Sequence, residues 1–408
     1  MSFTIPGTRY SRVPLAITLT LLTVACSKTG PWKGHEVTRD GVFHVVSPAL
    51  PIESAATYKT QEEWRRGSGD DDVVFGQIYD IVRDDEGNSN LLDSQLSLVH
   101  VISSNGEYLR SIGREGEGPG EFRQPSGIMM RSDGTICVMQ YMPARAVLLT
   151  PDGKAAGDYP MPKGPDGSHA FLNGGAMAHD QLILYLQQFI RKETFIGLNT
   201  LFVRVDEAGE IVATYWDMLQ EQDLSKVTFD EKTDGAVVWT AGPDGRFFVN
   251  NNWDTYAIEV FAADGSPEYV IEREYEHRMR TPGDLALVDQ RKQKREIAPD
   301  TKIAKHSRDL SRFVPREDRT LWVLSSRGEK DVTDGEIATF DVFDRRGRFV
   351  RQITIQGPFR PGIDVFHVVG DRVFVVTNAG DAAGLNPNDS EGATDPMEVV
   401  CLRMSEHR

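Results

Sequence analysis

The feature that most constrains this fold is an internal repeat of short β-rich runs joined by polar turns. From Phe75 onward, a run rich in β-branched and aromatic residues, a turn and a second such run recur, which is the signature of a β-hairpin. Turns such as Asp133-Gly134 and Asp244-Gly245 supply the positive φ that tight hairpins require. The second runs stand in order at residues 90–93, 135–140, 181–186, 246–251, 320–325 and 372–377.

Most second runs are followed by another pair of runs around a further turn, so each repeat predicts four strands. Four-stranded units that recur every roughly 45 to 75 residues are typical of propeller blades, because a single blade cannot bury both of its apolar faces. We therefore predict an all-β fold, a six-bladed β-propeller with four-stranded antiparallel blades, over residues 41–408.

Two segments complete or interrupt the repeat. The last repeat has only three strands, so we expect an N-terminal strand at 41–47 to pair with 398–402 and close the last blade, which removes two exposed sheet edges. Between the fourth and fifth repeats, the apolar residues of 276–309 follow helical spacing. We expect a helical insertion there, acting either as a lid or partner-binding helix over the pore or as a simple insertion packed on the rim.

The N-terminus predicts export. Arg9 and Arg12 precede an apolar run of about 13 residues, which is shorter than the roughly 20 that a spanning helix needs. We read 1–25 as a signal peptide and 26–40 as a polar, lipid-anchored linker. The junction Thr23-Val24-Ala25-Cys26 resembles the cleavage site of bacterial lipoproteins, which implies lipidation of Cys26. The alternative is an ordinary secretory signal in which Cys26 is incidental.

Charge and cysteine content exclude several classes of protein. Lys+Arg 45 against Asp+Glu 61 gives a net charge of -16, and no basic cluster offsets it, so we expect no nucleic-acid partner. The same charge repels anionic lipids, which leaves the lipid anchor as the membrane contact. Because the chain contains only three cysteines, a disulfide scaffold and a Cys-rich zinc module are excluded. Cys137 and Cys401 lie in apolar runs of separate repeats and predict buried free thiols.

One stretch carries a family resemblance. Residues 112–122, IGREGEGPGEF, followed by Pro125 to Ile128, resemble the inter-blade connection of NHL-type and TolB-like six-bladed propellers, and most closely that of bacterial six-bladed β-propeller lipoproteins. The glycines let the chain cross between blades, and Phe122 can plug between them. The close match covers about residues 70 to 155. The resemblance implies the fold and a periplasmic or cell-surface setting, but no reaction, because propellers host many functions.

Metal chemistry is the first functional hypothesis. Enzymes with this fold resemble lactonases with a pore calcium or a lyase with a pore zinc, and either metal would lie on the innermost strands. The polar residues expected there are Asp80, His169, Asn173, Asp364 and His367. Calcium at Asp80, Asn173 and Asp364 stays open as a hypothesis that rests on strand register. We expect no other cofactor, and zinc held by three His is not supported.

Binding at a rim is the second hypothesis. One polar residue per repeat stands near the end of the second run, and together they either line a binding mouth or simply meet water: Asp93, Gln140, Gln187, Asn251, Arg327 and Asn378. We favour a monomeric, membrane-anchored extracytoplasmic module that binds an envelope protein, peptide or glycan. The alternative is a metal-dependent hydrolase, lactonase or lyase with its site in the propeller pore. No catalytic residue emerges, and the sequence identifies neither the ligand nor the membrane.

Overall fold

The structure is a computed structural model that describes residues 31–67, 73–162, 170–191, 195–223, 232, 237–294, 302–379 and 396–407. The predicted signal peptide, Cys26 and His169 lie outside these residues. Strand β1 (His35–Arg39) forms within the segment predicted as a linker, and it pairs with β2 (Val42–Ser47). A long third strand, β3 (Ala56–Arg66), follows.

Four-stranded antiparallel units make up the first half of the fold. In the first two units every residue of the second strand is buried, as expected for sheets that are covered on both faces. Unit one contains β4 (Ile78–Arg83), β5 (Ser89–Asp93), β6 (Leu98–Ile102) and β7 (Tyr108–Ile112). Unit two contains β8 (Pro125–Met130), β9 (Ile136–Gln140), β10 (Arg145–Leu149) and β11 (Ala155–Tyr159). Unit three contains β12 (Phe171–Ala178), β13 (Gln181–Arg191), β14 (Phe195–Val205) and β15 (Ile211–Asp223).

The second half repeats this plan and adds two helices. Unit four contains β16 (Val238–Ala241), β17 (Phe247–Asn250), β18 (Ala257–Phe261) and β19 (Pro267–Arg273). Helix α1 (Pro282–Lys294) lies in the segment 276–309, before unit five. Unit five contains β20 (Leu310–Pro315), β21 (Leu321–Ser325), β22 (Glu336–Phe343) and β23 (Phe349–Gln356), with α2 (Ser326–Lys330) after β21. Unit six contains β24 (Val365–Val369), β25 (Arg372–Val376) and β26 (Val399–His407).

The strand that completes unit six is β3, so the prediction that 41–47 closes it was wrong. β26 pairs antiparallel with β3, with Val399 opposite Arg66 and His407 opposite Thr57. β2 instead adds to the outer strand of unit four, parallel to β19. Length explains the choice, because β3 spans 11 residues against the nine of β26, whereas β2 has six.

The units follow one another around a common centre. The first strands make contact in sequence, β4 with β8, β8 with β12, β12 with β16 and β16 with β20, and β24 returns to β4. Between units five and six, Arg312 of β20 donates to the carbonyl of Phe366 in β24. These contacts describe an all-β propeller of four-stranded antiparallel sheets.

The glycine-rich connection packs between units one and two as predicted. Phe122 is fully buried among Leu92 and Val99 of unit one and Ile128 and Val138 of unit two. Gly113 has φ +77, and a Cβ there would lie 2.5 Å from the Phe122 ring, so the close approach requires glycine.

The connections divide between two rims. Tight turns join first to second strands on one rim, whereas the connections after each second strand and between units form the other, which we call the long-loop rim. Both α1 and α2 lie on the long-loop rim. Neither described helix has the length and apolar character of a membrane span.

Candidate binding site on the long-loop rim

A cavity of about 440 Å³ opens between units four and five, and we call it the rim cavity. It draws its walls from β16, the loop after β17, the 276–309 insertion, β20 and α2. Its lining is formed by Val237, Val238, Trp239, Trp253, Arg280, Ser307, Arg308, Leu310, Ser311, Arg312, Phe313, Ser326, Glu329 and Lys330.

The rim cavity is basic although the protein is acidic. Three arginines and one lysine line it against one acidic residue, Glu329, while the whole chain carries a net charge of -16. Arginine stays charged at any ordinary pH and presents five N–H donors in a planar fork. The wall is therefore complementary to an anion, and to a planar carboxylate above all.

Arg312 is held at the inner end of the cavity. It follows a bulge in β20, where the register shifts between Leu310 and Arg312. Its guanidinium lies 4.7 Å from the centre of the Phe366 ring and donates to that residue's carbonyl. Burial lowers the pKa of Arg312, and the negative charges of Glu329 and Asp80 oppose this effect.

Two further titratable groups lie near Arg312 on the first strands. Burial, together with the charge of Arg312, lowers the pKa of His367 to about 3, so this imidazole is neutral, and its Nε2 has no hydrogen-bond partner. Burial raises the pKa of Asp80 to about 6, although N–H groups of Ile128 and Ile81 donate to it and Arg312 lies nearby.

The outer wall of the cavity is braced by the loop after β17. Arg308 donates to the carbonyl and to the side-chain oxygen of Asn250, both at 2.8 Å, and burial lowers its pKa to about 10. The Arg280 guanidinium lies 5.6 Å from the centre of the Trp253 ring. Ser307 is 3% exposed, and its hydroxyl has no hydrogen-bond partner.

Beside the cavity, the two ends of the insertion bring His277, His306 and Asp309 together. One potential ligand atom from each lies within 4.8 Å of the others, the sole such group among the described residues. The imidazole rings stack with centroids 4.4 Å apart. His277 Nδ1 lies 2.9 Å from Asp309 Oδ1, and His306 Nε2 lies 2.8 Å from Asp254 Oδ1. The sequence analysis missed this group, because the insertion has no strand register that would place its histidines.

Asp93 and Gln140, predicted to line a binding mouth, instead brace their own loops. The Asp93 carboxylate is fully buried and accepts from the N–H groups of Gly76, Gln77 and Leu96. Although burial raises the pKa of Asp93, hydrogen bonds from His100 and these N–H groups outweigh it and hold the pKa below its usual value. Gln140 accepts from the N–H of Arg123 and donates to the carbonyl of Pro143.

The prediction that Gln187 ends a strand was wrong, because β13 continues to Arg191. Its side chain lies within unit three, where it accepts from Asn173 at 3.0 Å and donates to Tyr185 and Thr200. Asn173, one of the three residues of the calcium hypothesis, is therefore joined to a residue of the binding hypothesis rather than to Asp80 or Asp364.

The remaining predicted rim residues lie on the long-loop rim in three separate settings. Asn251 is exposed beyond β17. Arg327 of α2 pairs with Glu276 at the start of the insertion, at 3.0 Å. Asn378 and Asp364 line a second cavity of about 410 Å³, where Asp364 accepts from the Asn378 N–H and from the side chain of Arg360.

The three residues of the calcium hypothesis come from three different units. Asp80, Asn173 and Asp364 lie on β4, on β12 and at the start of β24, and each has separate partners. The group of His, Asp and Glu side chains close enough to share a metal ion among the described residues contains neither Asp80 nor Asp364. Cys137 and Cys401 are buried free thiols, as predicted, and burial raises the pKa of each to about 12.

Comparison with known proteins agrees with the fold. Residues 69–149 match the model of the DUF5128 family, described as a 6-bladed beta-propeller. The match supports a six-bladed β-propeller family for this chain. It covers the same stretch as the glycine-rich resemblance. A search of curated proteins finds no match.

Solved structures with similar chains include three propeller-like neighbours. One, from Bacteroides fragilis NCTC 9343, is described as an exported protein, with 14% identity, TM-score 0.47 and coverage of 86% of this chain and 99% of that one. A DUF4221 family member from Bacteroides vulgatus has 11% identity, TM-score 0.49 and coverage of 86% and 99%. Virginiamycin B lyase from Staphylococcus aureus has 10% identity, TM-score 0.42 and coverage of 85% and 99%.

Proposed function

We propose that this protein is an extracytoplasmic binding module that takes up a carboxylate-bearing peptide or protein segment in the rim cavity. The observation that carries the proposal is the positive charge of the cavity wall. Arg280, Arg308, Arg312 and Lys330 face one acid, Glu329, in a chain whose net charge is -16. A local positive site on an acidic protein selects for and steers anionic partners.

The cavity favours a peptide over a glycan. Trp253 is 8% exposed and donates to the carbonyl of His306, and Trp239 packs 5.1 Å from the Phe202 ring. Among the described lining residues, these two indoles are the side chains best suited to stack on sugar rings. Both are already engaged in packing. Arg308 and Arg312 are held by backbone and ring contacts, so less side-chain entropy is lost when they bind a carboxylate.

The setting of the site completes the proposal. We propose that the units are the six blades of one closed ring, with β3 as the closing strand, and that the protein is a monomer. We also propose export and attachment to the bacterial cell envelope through lipid on Cys26, on the periplasmic or outer-membrane side. The first-strand contacts and the apolar run before Cys26 support these statements.

A titration of the intrinsic tryptophan fluorescence tests the ligand class, because Trp239 and Trp253 line the cavity. We expect penta-glutamate to change the emission with a saturating curve that weakens as salt is raised, since screening reduces such attraction. Penta-glutamine is the neutral control and should give no saturation. Equal responses to both peptides, or none to penta-glutamate, would contradict the proposal.

A metal-dependent hydrolase, lactonase or lyase is the second candidate function. The observation that favours it is the group of His277, His306 and Asp309, which lies beside the rim cavity rather than in the pore. This hypothesis predicts that the protein turns over a lactone or an ester and that a chelator stops the turnover. Binding of penta-glutamate without turnover of any such substrate favours the binding module.

A further inference from the structure

Both ring nitrogens of His306 lie close to oxygen atoms. Its Nδ1 lies 2.9 Å from the carbonyl oxygen of Ser307, and its Nε2 lies 2.8 Å from a carboxylate oxygen of Asp254. Both ring nitrogens therefore face acceptors, while a neutral imidazole carries a single N–H. A neutral ring donates from one nitrogen and offers the lone pair of the other, which a cation can accept.

A second imidazole and a carboxylate lie beside this ring. His277 stacks on His306 with centroids 4.4 Å apart and planes 16° apart, and its Nδ1 faces both oxygens of Asp309. A single divalent cation would accept one nitrogen lone pair from each ring and one oxygen of the Asp309 carboxylate.

We propose that His277, His306 and Asp309 form a zinc site. Two imidazole nitrogens and one carboxylate oxygen are a ligand set that zinc accepts, with water in the fourth position. Ligand atoms on one tetrahedral zinc lie about 3.4 Å apart. From a group within 4.8 Å, side-chain rotations that unstack the two rings would bring the three ligand atoms onto one ion. The His277 side chain is 43% exposed, which gives the fourth ligand access to solvent.

The surroundings supply the outer contacts of such a site. Metal-bound histidines usually donate their second N–H to a carbonyl or carboxylate, and the Nδ1 of His306 lies against the carbonyl of Ser307. Asp309 is fixed by its backbone, because its N–H donates to the carbonyl of Trp253 and its carbonyl accepts from Ser326. Asp254 lies 2.8 Å from the His306 Nε2 that would bind zinc, so this carboxylate would turn toward Lys232, which it already contacts at 2.6 Å.

The site joins both ends of the insertion. His277 comes from its start, whereas His306 and Asp309 come from its end, next to the cavity residues Ser307 and Arg308. Zinc would therefore hold the outer wall of the rim cavity to unit five. The inference rests on the imidazole and carboxylate geometry alone, so it stands or falls separately from the binding of an anionic peptide.

The test is a zinc titration of the purified, tag-free protein in competition with a chromophoric chelator, alongside elemental analysis. We expect one zinc per chain. We expect Asp309→Asn and His277→Ala to weaken zinc affinity about 100-fold or more, since each removes a ligand. The exposed His35→Ala is the matched control and should bind as the wild type does. Cobalt should give tetrahedral absorption bands in the wild type and the control but not in the two variants.

The melting temperature separates loss of ligand from loss of fold. Without metal, the His277→Ala variant should melt within a few degrees of the wild type, because the side chain is 43% exposed. Zinc should raise the melting temperature of the wild type and of the His35→Ala control but not that of the two ligand variants. Failure of the wild type to bind zinc at micromolar concentration overturns the proposal. Wild-type affinity in a folded His277→Ala or Asp309→Asn variant overturns it as well.

Discussion

At the scale of single residues, the buried polar groups of the first strands are held in unusual charge states. Asp80 accepts two backbone N–H bonds, yet burial raises its pKa to about 6, and His367 is neutral because its pKa is lowered to about 3. Arg312 therefore keeps its charge beside an uncharged imidazole. The negative charge near this cation comes from Glu329 and, above about pH 6, from Asp80.

The raised pKa of Asp80 gives a stability prediction with a definite sign. Folded protein holds a proton on Asp80 that the unfolded chain releases between about pH 4 and 6, so this group's contribution to stability falls as pH rises through that window. Asp80→Asn removes this carboxylate. The free energy of unfolding of the variant, relative to that of the wild type, should therefore be about 1–3 kcal/mol higher at pH 7.5 than at pH 4.

Urea unfolding at the two pH values measures this difference. Asp85→Asn, in the exposed turn after β4, is the control and should show no such change. If the difference in unfolding free energy between Asp80→Asn and the wild type is independent of pH, Asp80 titrates normally. A difference of the opposite sign would mean that the folded state favours ionised Asp80, as calcium binding there would require.

Single residues also show which parts of the site could be predicted from the sequence. The spacing placed Asp93 and Gln140 correctly at strand ends, but sequence could not show that their side chains turn inward to satisfy loop N–H and carbonyl groups. Arg308 and Arg312 were not predicted, because their role depends on a bulge and on the packing of a neighbouring unit. In this acidic chain, a search for clustered basic residues around the insertion, rather than for polar residues at strand ends, would have found them.

At the scale of elements, closure of unit six depends on β3. Its buried face carries Trp64, whose ring lies 5.9 Å from Phe374 of β25, while the strand otherwise contains mostly polar residues. That composition hid β3 from the sequence pattern, which instead pointed to the more apolar β2. The turn-based count of strands, by contrast, was sound from unit one to unit six because each turn has a steric requirement of its own.

The assignment of the closing strand predicts unequal effects from two aromatic substitutions. Trp64→Ala removes a ring that is 7% exposed in the core between units six and one, and should cost about 3–5 kcal/mol of unfolding free energy. Phe43→Ala, on β2, removes a ring that is 41% exposed and should cost less than about 1 kcal/mol. Chemical denaturation of both variants checks the order, and a larger loss in Phe43→Ala would assign closure to β2.

At the scale of the whole molecule, charge is distributed unevenly. An acidic chain with a net charge of -16 gathers four basic side chains around one cavity of about 440 Å³, on the rim that carries the long connections and both helices. Long connections tolerate variation because the sheets beneath them carry the core. The same arrangement places the insertion, α2 and the rim cavity where a partner would meet them together.

The measurement that tests the central claim most directly is calorimetric titration of penta-glutamate into the wild type and into charge variants. We predict that Lys330→Gln and Arg312→Gln each weaken binding about tenfold, since one charge-assisted hydrogen bond contributes about 1.5–3 kcal/mol. Lys154→Gln, an exposed lysine in the turn between β10 and β11 on the opposite rim, makes the same change in net charge and should bind as the wild type does. If all three variants bind with equal affinity, the rim cavity is not the binding site.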